Sequence, residues 1–362
     1  MTGLRTAAAV IMAASVTACS QEPVVLGIAS GSVTVEAALM ALEDAVADGL
    51  DVPIDTVIVR EGTNMAAPAV RAADTIVSTP GVVAVMGHSN SAASLTAAPI
   101  YNRARVVQIA SHSTAEIYSE AEPYSFRMVP PDGQQGRAIA EFLAREYRGR
   151  RLALTYVNDD YGRGLRANVL DALPPGAVDI VVDVPHITLA SPEMVQRTVR
   201  VVVDARPDGI LWLGRALQLQ AYLPGLREAL GRVPIIGGDA LNPAEHLPDP
   251  EGLFPPLHFV RLVDMDARPG TRQFSERFRA RFGQDLADAG ALAYDAFAVL
   301  LAGVEAGVRT GEEMREYLMS LGRDRPAYEG ITGPLRFNEH GDAYREYVMG
   351  RMTEGQTGVA AP

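Results

Sequence analysis

Residues 82–114 read VVAVMGHSNSAASLTAAPIYNRARVVQIASHST, and the fold follows from how this stretch alternates. Residues 82–86 are uninterrupted apolar positions, the pattern of a strand buried on both faces. The polar loop Gly87-His88-Ser89-Asn90-Ser91 comes next, then a helical pattern over 91–103 and a second apolar strand at 106–110. A second polar loop, Ala110-Ser111-His112-Ser113-Thr114, closes the stretch. Strand, helix and strand in this order predict parallel pairing under a helical cover. Both polar loops then leave the carboxyl ends of neighbouring strands. Open α/β sheets bind ligands at that edge, because the following helices present unpaired N–H groups and a positive dipole end there.

The alternation extends in both directions. Upstream it predicts strands at 24–29 and 54–60 and helices at 33–47 and 65–78. Downstream, Phe126-Arg127-Met128-Val129-Pro130-Pro131-Asp132 breaks the pattern, since consecutive prolines favour an extended crossing. A second α/β series follows, with helices at 134–147, 164–172, 193–205 and 217–230 and strands at 152–157, 179–184, 209–213 and 233–236. Another extended crossing is expected at 257–263, then helices at 272–282, 287–308 and 312–321, and a last extended segment at 344–352. The small, polar tail from 353 to 362 is expected to fray. At 362 residues the chain is too long for one ordinary domain and fits two α/β lobes.

Composition narrows the function. All 32 basic residues are arginine, so Schiff-base chemistry and a phosphate-binding P-loop lysine are excluded. A net charge of −12 argues against nucleic acid as a partner, because phosphate-backbone binding needs a concentrated basic surface. At the N-terminus, Arg5 precedes a charge-free run over 6–18 that is too short to span a bilayer and reads as a signal peptide over 1–18. It ends in Val16-Thr17-Ala18-Cys19, which resembles the bacterial lipobox, and Cys19 is the only cysteine in the chain. Acylation of Cys19, a short tether over 19–23 and a lipid anchor in a bacterial membrane are expected.

The two loops after the strands carry the candidate chemistry. Serine, asparagine and threonine commonly cap helices, and that is one reading of them. Their density favours the other: two adjacent hydroxyl- and amide-rich loops make an anion site suited to a carboxylate. Asp239 in Gly237-Gly238-Asp239-Ala240 follows the strand at 233–236 on the same edge of the second lobe, where it either faces the cleft or fills a turn.

The succession of motifs resembles the leucine/isoleucine/valine-binding family of periplasmic solute receptors. It comprises the loop ending in Ser91, Ala98-Pro99-Ile100-Tyr101, the Ser111 to Thr114 loop, Phe126-Arg127, and Asp132 with Gln135-Gly136. Asp159-Asp160-Tyr161-Gly162-Arg163-Gly164 and Gly333-Pro334-Leu335-Arg336-Phe337 followed by Gly341-Asp342 complete it. The resemblance implies the type I periplasmic binding fold: two doubly wound parallel-sheet lobes joined by a three-strand hinge. The lobe limits expected are 24–131 with 262–338, and 132–261 with 339–357, leaving 358–362 as tail. It implies a small amino-acid-like ligand, an amide or small carboxylate included, and an ABC permease as partner. The α-carboxylate would sit on residues resembling Ser91, His112, Ser113 and Thr114, the α-ammonium on Asp239, and Tyr161 would be the cleft tyrosine. Two departures bear on the ligand. The loop Ala29-Ser30-Gly31-Ser32-Val33 is shorter than in typical members and lacks their pocket aromatic, and Arg215 stands where an aromatic often follows Leu213-Gly214. An Arg215 facing the cleft would favour an acidic or amide-bearing ligand over an apolar one.

Other classes fit less well. A serine hydrolase built on Gly87-His88-Ser89-Asn90-Ser91 lacks the second glycine of the nucleophile elbow, since Ser91 occupies its place. Six scattered histidines show no metal-ligand spacing, and neither a metal nor a cofactor is expected. A sensor or envelope-assembly lipoprotein on the same fold is the remaining alternative, because fold does not fix function.

Overall fold

The computed structural model describes residues 22–61, 66–118, 122–187, 190–246, 252–263, 268–353 and 356–359. The expected leader and Cys19 lie outside the described residues. The chain builds two sheets. The first holds β1 (Val24–Ser30), β2 (Ile54–Arg60), β3 (Val82–Gly87), β4 (Val107–Ala110) and β5 (Ser125–Arg127). They run parallel in the order β2-β1-β3-β4-β5. Every residue of β1 is buried, since it has strand neighbours on both sides and helices on both faces, whereas β2 at the edge alternates half-buried with exposed positions. Helices α1 (Ser32–Ala47), α2 (Ala66–Val77) and α3 (Ser91–Ala104) make the crossovers.

The second sheet holds β6 (Arg151–Val157), β7 (Asp179–His186), β8 (Gly209–Leu213), β9 (Ile235–Gly237) and β10 (Leu257–Arg261), parallel in the order β10-β9-β8-β6-β7. It is wrapped by α4 (Asp132–Glu146), α5 (Asp160–Ala172), α6 (Pro192–Asp204) and α7 (Ala216–Leu230). Trp212 of β8 stacks on His186 at 4.1 Å between ring centres within this lobe's core. α8 (Pro269–Phe282), α9 (Asp288–Glu305), α10 (Gly311–Ser320) and the hairpin of β11 (Tyr328–Gly330) and β12 (Gly333–Leu335) return to the first sheet. Phe297 and Leu300 of α9 share one core with Leu26, Ile28, Met86 and Ile109. The chain therefore passes between the lobes three times: after β5, after β10, and between β12 and the final strands.

Several boundaries move for local reasons. α5 starts at Asp160, earlier than periodicity suggests, because the Asp159 side chain accepts a hydrogen bond from the Gly162 N–H and caps it. The last extended segment becomes β13 (Val348–Thr353), antiparallel to β10. The expectation of a frayed tail is corrected at 353 and over 356–359, where β14 (Gln356–Val359) pairs antiparallel with β13 and satisfies the N–H and C=O groups that an edge strand would leave open, while the rest of the expected tail lies outside the described residues. Among the described residues no helix is long and apolar enough to cross a membrane.

Candidate functional site

The carboxyl ends of both sheets face one cavity of about 280 Å³. From the first lobe, Ser89, Asn90, Ser91, His112 and Thr114 line it, and from the second, Tyr161, Arg215 and Asp239. Thus Ser91, His112, Thr114, Tyr161, Arg215 and Asp239 of the expected set come together, although they span 149 positions of sequence from Ser91 to Asp239, both counted.

The first loop is held from behind. At Gly87 a β-carbon would lie 2.3 Å from the Ala29 carbonyl oxygen, so only glycine lets β3 turn so close to β1. The buried His88 ring places Nδ1 against Glu61 and Nε2 3.1 Å from the Tyr101 hydroxyl. Ser89 donates to Glu61 Oε2 from its backbone N–H (3.1 Å) and its hydroxyl (2.8 Å). Burial would raise the Glu61 carboxyl, but the hydrogen bond and charge of His88 outweigh it and hold it below its ordinary value. Asn90 does what the capping reading expects: its side chain accepts from Ala93 N–H at the start of α3. The Ser91 hydroxyl accepts from the Ala115 N–H at 3.2 Å, which locks the two loops together. Ser113 departs from expectation. It is fully buried, its hydroxyl meets that of Ser94 at 2.7 Å, and it supports the loop without lining the cavity.

Across the cleft, Asp239 opens the 3-10 helix Asp239–His246 directly after β9 and is 3% exposed. Its Oδ1 accepts from the Tyr161 hydroxyl at 2.8 Å, and its backbone N–H donates to Gln135 Oε1 at 2.8 Å. Gly238 makes room for both, since a β-carbon there would lie 2.4 Å from Gln135 Oε1 and 2.6 Å from the Tyr161 oxygen. Oδ2 meets His112 Nε2 of the other lobe at 2.9 Å. Burial pushes the Asp239 carboxyl up and the His112 imidazole down, yet their mutual hydrogen bond and attraction reverse both: Asp239 is lowered and His112 raised. Neighbouring Asp132 is driven well above the carboxylate range by burial and by the Asp239 charge.

Arg215 does face the cleft, but its Nη1 pairs with Asp159 at 2.8 Å and its guanidinium lies over the Tyr161 ring at 5.6 Å. Its charge is thereby offset, so the bias it was expected to give toward an acidic ligand weakens. Two polar lining residues carry no sequence signal that marks them for the cavity. Asn242 lies on the 3-10 helix after Asp239, and Asp288 opens α9, whose residues had been read only as a helix. An acidic residue in the first turn of a helix was the one available signal for Asp288, and the helix dipole explains it without a cavity. Among the described residues no group of three or more His, Cys, Asp or Glu could hold a metal ion.

Comparison with known proteins gives the same architecture. The solute-binding protein of an ABC transporter from Rhodopseudomonas palustris, solved with 3,4-dihydroxybenzoic acid, superposes with a TM-score of 0.77 at 16% identity, covering 92% of this chain and 95% of that one. The branched-chain amino acid transporter substrate-binding protein of Streptococcus pneumoniae, solved with isoleucine, reaches 0.82 at 20% identity over 94% of this chain and all of that one. In sequence, the leucine-, isoleucine-, valine-, threonine- and alanine-binding protein of Pseudomonas aeruginosa is 29% identical over 278 residues, 72% of this chain and 69% of the relative. A family model matches residues 26–357, nearly everything from β1 to β14, and with both lobes and the cavity between them in place the chain belongs to the periplasmic binding protein family.

Proposed function

We propose that this protein is an extracytoplasmic solute receptor that captures a small amino-acid-like molecule between its lobes and delivers it to an ABC permease. The observation that carries this reading is the opposed polarity of one cavity. Ser91 at the start of α3 and Thr114 in the next loop line it from one lobe, and the carboxylate-bearing Asp239 lines it from the other. A carboxylate has about four acceptor sites, and Asp239 uses one each for Tyr161 and His112, so a ligand ammonium can join them. The lobes are taken as 24–131 with 262–338 and 132–261 with 339–357, with the three crossings as the hinge and Cys19 as a lipid anchor holding the protein to a bacterial envelope membrane. The names of the relatives support the ligand class, since they include receptors for leucine, isoleucine, valine, threonine and alanine. Binding without catalysis is the favoured reading, because both ring nitrogens of His88 are engaged by Glu61 and Tyr101, and His112 Nε2 by Asp239, which leaves no histidine poised on a serine hydroxyl at the loop.

The test is calorimetry with amino acids, amides and small carboxylates. Asp239→Asn should weaken an amino-acid ligand on the order of tenfold or more, since a charge-assisted hydrogen bond in a desolvated site is lost. Ser91→Ala should cost less, because the loop amides remain. Parent-like binding by Asp239→Asn, or binding only of ligands without an amine, overturns the amino-acid reading.

A further inference from the structure

Most charged groups in the cavity are already matched by protein. Asp239 holds His112 and Tyr161, and Arg215 holds Asp159. His112 keeps one buried ring nitrogen, Nδ1, without a partner, and Asp288 and Asn242 each keep an oxygen in that state. Asp288 is 3% exposed, and its Oδ2 accepts from the backbone N–H groups of Leu262 and Val263 at 3.2 Å each. Its other oxygen, Oδ1, is buried with no hydrogen-bond partner. Asn242 is 4% exposed, and its side-chain oxygen is likewise buried and unpartnered. Both residues line the same cavity, one from each lobe. The buried guanidinium of Arg345 is within electrostatic reach of Asp288 but spends its Nη atoms on the Thr332 carbonyl (3.2 Å) and hydroxyl (2.8 Å).

Buried polar atoms in native proteins are as a rule hydrogen-bonded, so two orphan acceptors in one cavity call for donors from whatever occupies it. We infer that Asp288 and Asn242 form a second recognition site that takes a nitrogen donor at the end of the ligand's side chain, which makes the solute an amine- or amide-tipped amino acid and not an aliphatic one. This rests on the amino-acid reading above and deepens it. The two oxygens belong to opposite lobes, so a ligand tip that meets both reports closure as its backbone end does. A leucine side chain would bury both oxygens without partners. Sites built to hydrogen-bond a polar group reject analogues that lack it, often by large factors. The small apolar lining of Ala216, Ala240, Ala287 and Ala289 packs the methylene stem without filling the space the tip needs.

Titration calorimetry with L-leucine, L-glutamine and L-ornithine tests this, using the parent, Asp288→Asn and Asn242→Leu. The asparagine keeps a carbonyl for the Leu262 and Val263 amides and replaces the orphan oxygen with a donor, so the crossing after β10 stays capped. Glutamine or ornithine should bind the parent at least tenfold more tightly than leucine. Asp288→Asn should weaken ornithine at least tenfold without weakening leucine, and Asn242→Leu should narrow the gap from the other lobe. Leucine binding as tightly as both polar probes, or both variants weakening all three alike, overturns the second site while leaving the amino-acid reading intact. If none of the three binds but a small carboxylate does, the amino-acid reading itself is lost and this site with it.

Discussion

Removing the His112 side chain tests how the two lobes are coupled. His112 lies on the first lobe and Asp239 on the second, with Nε2 and Oδ2 2.9 Å apart, while the hydrogen bonds of Asp239 to Tyr161 and Gln135 stay within the second lobe. His112→Ala therefore takes away one contact that exists only when the lobes are together. A hydrogen bond between charged partners is worth about 1.5–3 kcal/mol, and the 20% exposure of the imidazole places this one toward the lower end of that range. Ligand affinity is scaled by the fraction of molecules able to close, so the loss should appear as about a 10- to 30-fold weaker Kd. Calorimetry on His112→Ala, Asp239→Asn and the double variant gives the coupling directly. Unchanged affinity in His112→Ala would refute the latch. Tighter amino-acid binding would refute it differently, by showing that the imidazolium competes with the ligand ammonium for Asp239.

The same pair sets a pH window. Because the closed state raises the His112 pKa, its contribution is complete below the ordinary histidine range and fades as pH rises through the raised value. Because Asp239 is lowered, its contribution is present above the ordinary carboxylate range and fades as pH falls through the depressed value. Asp132 and Asp288 also act on the imidazole, so Kd against pH should be measured in the parent and in His112→Ala, where the alkaline limb should flatten; an identical limb would remove the assignment. Arg127, 1% exposed, pairs with Asp342 and donates to the Ala115 carbonyl at 2.7 Å where the chain leaves the first sheet. Arg127→Met should cost about 3–5 kcal/mol, seen as a lower urea midpoint, because Asp342 is left buried without its cation; an unmoved midpoint would contradict this. Cys19→Ser should release the protein from membranes or leave its leader uncleaved, and mass spectrometry that finds an unmodified Cys19 in a native host would end the anchor proposal.

The order of elements was legible because each is announced locally. An apolar run of five or six residues marks a buried strand, as at 82–86 and 209–213, and a cap such as Asn90 marks a helix start, whereas the one at Asp159 shows itself only in the structure. The edge of the sheet at which the site lies was legible too, since it depends only on parallel strands and on which loops follow their carboxyl ends. Local pattern could not say that Ser113 turns inward to Ser94, because a buried hydroxyl and a ligand-facing one look alike in a polar loop. It could not pair His112 with Asp239 or Arg215 with Asp159 either, as those contacts join segments brought together only by the packing of two lobes. Asp288 was hidden for the same reason. The tail was misread because small polar residues carry a weak strand signal, and pairing with β13 supplies what propensity does not.

The return of α9 to the first sheet has a consequence for the order in which the chain can fold. Asp44 of α1 accepts hydrogen bonds from Arg277 and from Tyr294, which lie 233 and 250 residues further along the chain. β1 and α1 therefore emerge early from the ribosome yet wait for nearly the whole protein before their core is covered. Closing loops of that length is slow, and contacts of such high sequence separation are the ones that delay folding. A nascent chain that cannot finish its first lobe stays open and threadable until synthesis is almost over. That would suit the export proposed above, and it means the first lobe cannot be produced as a simple N-terminal fragment.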